Sequence, residues 1–366
     1  MKITDVKVHI LKPTFSYSGG KSMPPREIKY TLLRIFTDGG IEGDYMIWSG
    51  FPTAFPNIVA DLIVRAFKPQ LIGEDPFYRE KIWQKIGGTS WSVHGAGPAL
   101  GAIDIALWDI VGKAAHMPIY KLLGAFRDKV KAYASNIRME KMEDFLNEAS
   151  KLKKKGYSAY KLHTSGIPID DLKICKAIRE SVGDEMILMH DAAFAYDNLE
   201  ALKVGRELEK LNYHWFEAPL PHDDISGYVE LTKALEIPIA LEVLYNYAEY
   251  VRRGAIDIFR SVADFTGGIT EMIKTASLCY LSNLKWEPHS FGSTLCQAAN
   301  LQVILSVKNC DFFELPVYQG KEGIFDVAMK DNIRIDEKGY VHGSKKPGLG
   351  LEIDWNQVEE LTLKVL

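Results

Sequence analysis

The sequence predicts an α/β protein: a modified (β/α)8 TIM barrel with an N-terminal α+β capping domain that the C-terminal segment completes. Three observations carry this. Residues 1 to about 125 open on strand-like runs and a hairpin before turning helical. From about residue 129, short apolar runs alternate with amphipathic stretches through eight βα-like units. The tail has a strand-like NIRIDEKGYV and a Gly-Pro-rich KKPGLGLEID, with no linker before it. A length of 366 residues accommodates two domains, or one large barrel with additions.

In the capping region, VKVHILK alternates as a half-buried strand does. IKYTLLRIFTDGGIEGDYMIW reads as a hairpin about Asp38-Gly39-Gly40. ALGAIDIALWDIVGKAAH is apolar on most faces, so it is expected as a buried helix. The expected divisions are 1–125 for the cap, 126–320 for the barrel, and 321–366 for a segment packing back on the cap.

The barrel strands are expected in VKAYAS, SAYKLH, MILMHDA, YHWFEAP, IPIALEVL, IDIFRSV, LKWEPHS and CDFFELP. MEDFLNEASKLKKKG, PIDDLKICKAIRESVG, NLEALKVGRELEKLN and GGITEMIKTASLCYLSN are among the helices between them. The tail is expected to displace the last helix. The units share little residue identity, which argues against a solenoid.

Composition sets outer bounds. With 47% hydrophobic residues, 25% charged residues and a net charge of −4, the chain is an ordinary globular one with no basic tract for nucleic acid. No apolar stretch approaches the roughly 20 residues of a membrane span. MKITDVKVHILK reads as a strand and not a signal peptide, so a cytoplasmic location is expected. Cys175, Cys279, Cys296 and Cys310 form no CxxC pair and are expected to be buried free thiols.

Chemistry in such a barrel sits at the C-terminal strand ends. There, residues i and i+2 share a face, so Lys161 and His163 of AYKLH both point into the mouth. The next three strands end on Asp191, Glu217 and Glu242, spaced 26 and 25 residues apart, about one βα unit each. Three carboxylates converging in a concave site repel strongly; a divalent cation resolves this, and an all-oxygen set suits Mg²⁺. His289 follows the seventh strand and Glu314 ends the eighth. His190 has the opposite parity and is expected to be structural. Each of these alone has a plain structural alternative; the registered series is what points to a site.

The series Lys-x-His, Asp, Glu, Glu, His, Glu resembles the enolase superfamily, mandelate racemase subgroup. So do AIDIALWDIVGKAAHMPIYKLLGAFRDKVKAYAS (102–135) and GGIT (267–270). The resemblance spans nearly the whole chain. It implies a cap over a modified barrel, an essential Mg²⁺ on Asp191, Glu217 and Glu242, and abstraction of the proton α to a carboxylate. Lys161, His163 and His289 become the acid/base candidates, and Glu314 a partner of the enediolate.

The chain departs from that pattern in four places. His163 stands where the subgroup usually has a second lysine, and Ala193 where it has Asn. Val262 stands at the usual strand-6 aspartate, which leaves Asp264 as a possible substitute partner for His289. IDIFRSVADF also lacks the lysine of the lactonising and dipeptide-epimerising relatives.

The leading expectation is a Mg²⁺-dependent acid-sugar dehydratase, with His163 or Lys161 as base and His289 as general acid. Alternatives are a racemase or epimerase, a lactone cycloisomerase, and a non-catalytic sugar-acid-binding barrel. The expected partner is a small-molecule carboxylate, with no nucleic acid and no membrane; a homo-oligomer is expected. Two cap loops are expected to set specificity: 14–27, with Lys21 and Arg26 for substrate binding, and 48–56. The glycine-rich 87–98 lacks a GxxxxGK pattern and is expected to pack cap on barrel, with His94 unassigned.

Overall fold

The computed structural model describes the chain outside residues 14–15, 18–25, 49–55, 91–95, 138, 140 and 318–322. The cap contains β1 (Ile3–Leu11), the two-residue β2 (Ser16–Tyr17) and β3 (Arg26–Glu27), β4 (Tyr30–Thr37) and β5 (Glu42–Trp48). The barrel contributes β6 (Lys129–Ser135), β7 (Ala159–His163), β8 (Ile187–Asp191) and β9 (Phe216–Glu217). It continues with β10 (Ile239–Glu242), β11 (Ile258–Arg260), β12 (Lys285–Trp286) and β13 (Phe312–Pro316). The tail adds β14 (Tyr340–His342) and β15 (Thr362–Val365).

β4 and β5 form the expected hairpin, turning through Gly40 at φ +72°, a conformation that suits glycine. The cap sheet runs β15-β1-β4-β5, so the chain's last strand pairs antiparallel with its first. β14 behaves differently. Of the strand-like NIRIDEKGYV only Tyr340 and Val341 lie in a strand, which extends to His342 and pairs with β6 of the barrel. The Asp336 carboxylate accepts from the Lys338 and Tyr340 amides, which folds the preceding residues into a turn.

The helix Gly97–Ala114 is buried from Pro98 to Gly112 because it lies between cap and barrel. Its glycine permits the approach: a Cβ on Gly101 would lie 2.7 Å from the Ala263 carbonyl of a barrel loop. On the other side, a Cβ on Gly43 of β5 would lie 2.0 Å from the Ala106 carbonyl. Asp104 accepts from the Thr270 amide at 2.9 Å and from its hydroxyl at 2.5 Å, which pins the helix to the barrel.

The barrel strands run parallel in the order β12-β11-β10-β9-β8-β7-β6-β13, with helices between successive strands. After β13 the chain leaves for the tail, and among the described residues no helix lies between β13 and β14. β12 and β13 share no ladder. A side chain bridges that seam instead: Glu287 accepts from the Asp311 amide at 2.7 Å and the Phe312 amide at 3.1 Å. Inside, Tyr133, Ala159, Met189, Trp215, Ala240, Ile258 and Phe312 form an apolar plug. Strand period 2 then places Lys161, Asp191, Glu217, Glu242, Arg260 and Glu314, each two residues after a plug residue, on the same inner face one layer higher.

Candidate active site

Lys161 is the centre of the cluster and has no exposed surface. Its Nζ lies 3.0 Å from both carboxylate oxygens of Glu217, 3.1 Å from Glu314 Oε1 and 3.3 Å from Asp191 Oδ2. Burial and the nearby Arg260 charge work against the ammonium. The carboxylates of Glu217, Glu314 and Asp191 outweigh them and hold it above the usual lysine range. Lys161 therefore stands as an ammonium at the centre of three carboxylates.

Arg260 is the residue sequence reasoning missed. It is the last residue of β11, in register with Glu242 at the end of β10. It is fully buried; its Nε lies 2.8 Å from Glu217 Oε1 and its Nη2 donates to Glu314 Oε2 at 2.8 Å. Nη1 donates to the Tyr133 hydroxyl at 3.0 Å. A charged side chain in an otherwise apolar strand, two residues after the inward Ile258, was the available signal.

Glu314 also accepts from the Ser290 amide at 2.9 Å. Burial raises its pKa, but Lys161, His289 and Arg260 more than reverse this and hold it well below the usual carboxylate range. Glu217 further accepts from the Trp215 indole at 3.1 Å.

The two histidines flank this cluster. His163 Nε2 lies 2.8 Å from Asp191 Oδ2. His289 Nδ1 lies 3.5 Å from Glu242 Oε2, and burial pushes His289 down to about 4. His190 faces away, its Nε2 2.9 Å from the Thr164 hydroxyl, with its ring stacked on Tyr196.

The expected convergence of three carboxylates is only partly present. Among the described residues no three His, Cys, Asp or Glu side chains are gathered as a metal cradle. The reason is electrostatic: the Lys161 ammonium draws Asp191 and Glu217 to itself, while Glu242 stands beside His289. The charge inventory nevertheless fits a divalent cation. Four carboxylates (Asp191, Glu217, Glu242, Glu314) face two fixed cations (Lys161, Arg260), an excess of two negative charges when all four are ionised, as metal ligation requires. Among the described residues no lysine or arginine pairs with Glu242, and burial raises its carboxyl to about 7. The oxygen-only donor set suits a hard cation.

Asp264 does not face His289 as a dyad partner. Its carboxylate accepts from the buried Tyr45 hydroxyl of the cap and is bonded by Cys296. The residue is drawn into the cap–barrel joint because Tyr45 sits on β5, which packs there. Lys21 and His94 lie outside the described residues, as does most of 48–56. Arg26 is placed only by its backbone, opposite Tyr17 in the β2–β3 pair; its side chain lies outside the description. All four cysteines are buried and free.

Residues 22–124 match the family described as mandelate racemase / muconate lactonizing enzyme, N-terminal domain, and residues 144–358 match enolase C-terminal domain-like. The chain is 33% identical to arabinonate dehydratase of Saccharolobus solfataricus, over 82% of this chain and 83% of that protein. It is 29% identical to D-galactarolactone cycloisomerase of Agrobacterium fabrum, over 99% of both. The crystal structure of D-glucarate dehydratase from Agrobacterium tumefaciens complexed with magnesium superposes with a TM-score of 0.89. That structure is 32% identical and covers all of both chains.

Proposed function

Because the chain belongs to the mandelate racemase / muconate lactonizing enzyme family of the enolase superfamily, we propose that it is an acid-sugar dehydratase dependent on Mg²⁺. The observation that carries this is the buried Lys161 ammonium and Arg260 guanidinium set among four carboxylates and flanked by two histidines. A proton α to a carboxylate is very weakly acidic, and its removal puts a second negative charge on the substrate. Fixed cations in a dry site stabilise that charge as it develops. Relatives named for dehydration of sugar acids support the substrate class.

Asp191, Glu217 and Glu242 would hold the metal, which would supply Lewis-acid stabilisation of the enediolate oxygens. Lys161 binds the substrate carboxylate and faces its developing charge. Glu314, kept ionised, holds Lys161 and Arg260 in place. His163 and His289 exchange protons from the two flanks: one takes the α-proton, the other protonates the departing β-hydroxyl. The configuration at the α-carbon decides which histidine meets the proton.

Incubating a panel of aldonic and aldaric acids with Mg²⁺ in D₂O tests this. A substrate should form a 2-keto-3-deoxy acid, with deuterium entering from solvent. His163→Ala and His289→Ala should each abolish turnover of that substrate. No product and no exchange on any member, with metal bound, would leave a binding protein. The D-galactarolactone cycloisomerase relative, aligned over 99% of the chain, supports a second reading, lactone cycloisomerisation. That activity would consume a lactone without a 2-keto-3-deoxy product.

A further inference from the structure

His163 ends a strand at the barrel mouth, and its side chain keeps 21% exposure. A proton-transfer group must be held within roughly 0.5 Å of its productive position, and an imidazole has two torsions to fix. One of its ring nitrogens meets Asp191; the other meets a residue to which no role has been given. Asn136, one residue past β6 and 1% exposed, has its Oδ1 3.4 Å from His163 Nδ1. The same Oδ1 accepts the His163 backbone amide at 2.9 Å.

The orientation of this amide group is determined by its partners. A backbone N–H only donates, so the carboxamide oxygen must face His163. The carboxamide nitrogen then faces Tyr160, donating to its hydroxyl at 2.8 Å. Tyr160 in turn donates to Glu148 Oε1 at 2.6 Å. Tyr160 has no exposed surface and Glu148 has 4%. Glu148 belongs to the helix Met142–Lys154, on the outer layer of the barrel. A buried chain of hydrogen bonds thus runs from an outer helix, past the outward face of β7, to the imidazole in the mouth.

We propose that Asn136 is a positioning residue for His163, and that Tyr160 and Glu148 hold Asn136 in turn. This rests on His163 being a proton-transfer group. It adds a device that fixes the ring from behind, on the side away from Asp191. Fully satisfied buried networks of this kind rigidify the group they end on. For histidines that ligate a metal, losing such an outer partner typically costs about 10–100-fold in affinity or activity, and a loss of that order is expected for a histidine that transfers protons.

The test uses the full chain labelled with ¹⁵N-histidine. The His163 ring signals are assigned by their loss in His163→Gln. Asn136→Ala and Tyr160→Phe should each shift or broaden the His163 ring signals and leave those of His289 in place. Tyr160→Phe is the informative variant, since it removes one hydroxyl and touches no ring in the site. Unchanged His163 signals in both variants would overturn the proposal, whatever the enzyme turns over. On an acid sugar that wild type dehydrates, both variants should lower kcat about 10–100-fold with KM little changed and Mg²⁺ affinity retained. Loss of activity with unmoved ring signals would mean a merely structural role. Ring signals that move as expected, with His163→Ala still exchanging the α-proton at the wild-type rate, would instead overturn the catalytic reading of His163 and keep the positioning.

Discussion

Arg260 and Glu314 meet across the barrel interior: Nη2 lies 2.8 Å from Oε2, and neither side chain has exposed surface. β11 and β13 are not neighbours in the sheet, so this contact ties together strands that no ladder joins. Removing one partner of a buried pair costs about 3–5 kcal/mol where the other charge is left uncompensated; Lys161, 3.1 Å from Glu314, makes the lower end of that range the expected one here. Arg260→Met should lose stability in that range by chemical denaturation, and Arg260→Met/Glu314→Gln should recover part of it. A single-mutant loss below about 1 kcal/mol would place the pair with exposed ones.

Lys161→Met removes the ammonium from three carboxylates. Turnover of the acid sugar should fall by at least about 10²–10³-fold, the size of effect expected for losing one preorganised donor to a developing anion. The fold should persist, because Arg260 still meets Glu217 and Glu314. Circular dichroism and calorimetric Mg²⁺ titration check both: affinity should not fall, since the ammonium competes for Asp191 and Glu217.

Glu242 is the carboxylate of the proposed ligand set that meets neither Lys161 nor Arg260 at ion-pair distance. Adding Mg²⁺ to metal-free protein should raise its melting temperature. At a hundredfold excess over Kd the stabilisation is about 2.7 kcal/mol. Glu242→Gln should shift the Mg²⁺ concentration needed more than about tenfold higher, because charge count tunes hard-cation affinity. An identical titration curve would remove Glu242 from the ligand set.

Asp264 is 4% exposed and burial raises its carboxyl to about 6 from 3.8. The folded chain therefore keeps a proton that the unfolded chain releases. Stability should fall as pH rises from about 4 to about 6, by up to about 3 kcal/mol from this group. Asp264→Asn keeps an oxygen for the Tyr45 hydroxyl and should flatten that slope in denaturation curves. The same variant should leave His289-dependent proton exchange at the wild-type rate; a collapse of exchange would restore Asp264 as the dyad partner.

The residues that strand period placed were legible without coordinates. AYKLH, MHD, FEAP and ALE each end an apolar run, and alternation alone puts Lys161, His163, Asp191, Glu217 and Glu242 on the inner face. His190 was legible as outward by the same count. Arg260 obeys the same parity and ends β11, but in IDIFRSVADF apolar residues continue past it to Val262 and Ala263, so the sequence does not mark the strand end at the arginine. Asn136 follows β6 and carries no periodic signal at all. Its partners Tyr160 and Glu148 lie 24 and 12 residues away along the chain and read as core and helix.

The sequence by itself determined the architecture and the identity of the polar series, because burial and period are local properties of each segment. Only the tertiary structure decided who pairs with whom. Lys161 takes three carboxylates that come from three other strands. Glu242 is left to His289, and Asp264 is taken by a tyrosine of the cap. Those pairings follow from side-chain reach and charge balance in a closed interior, where each group's partners come from strands distant in sequence.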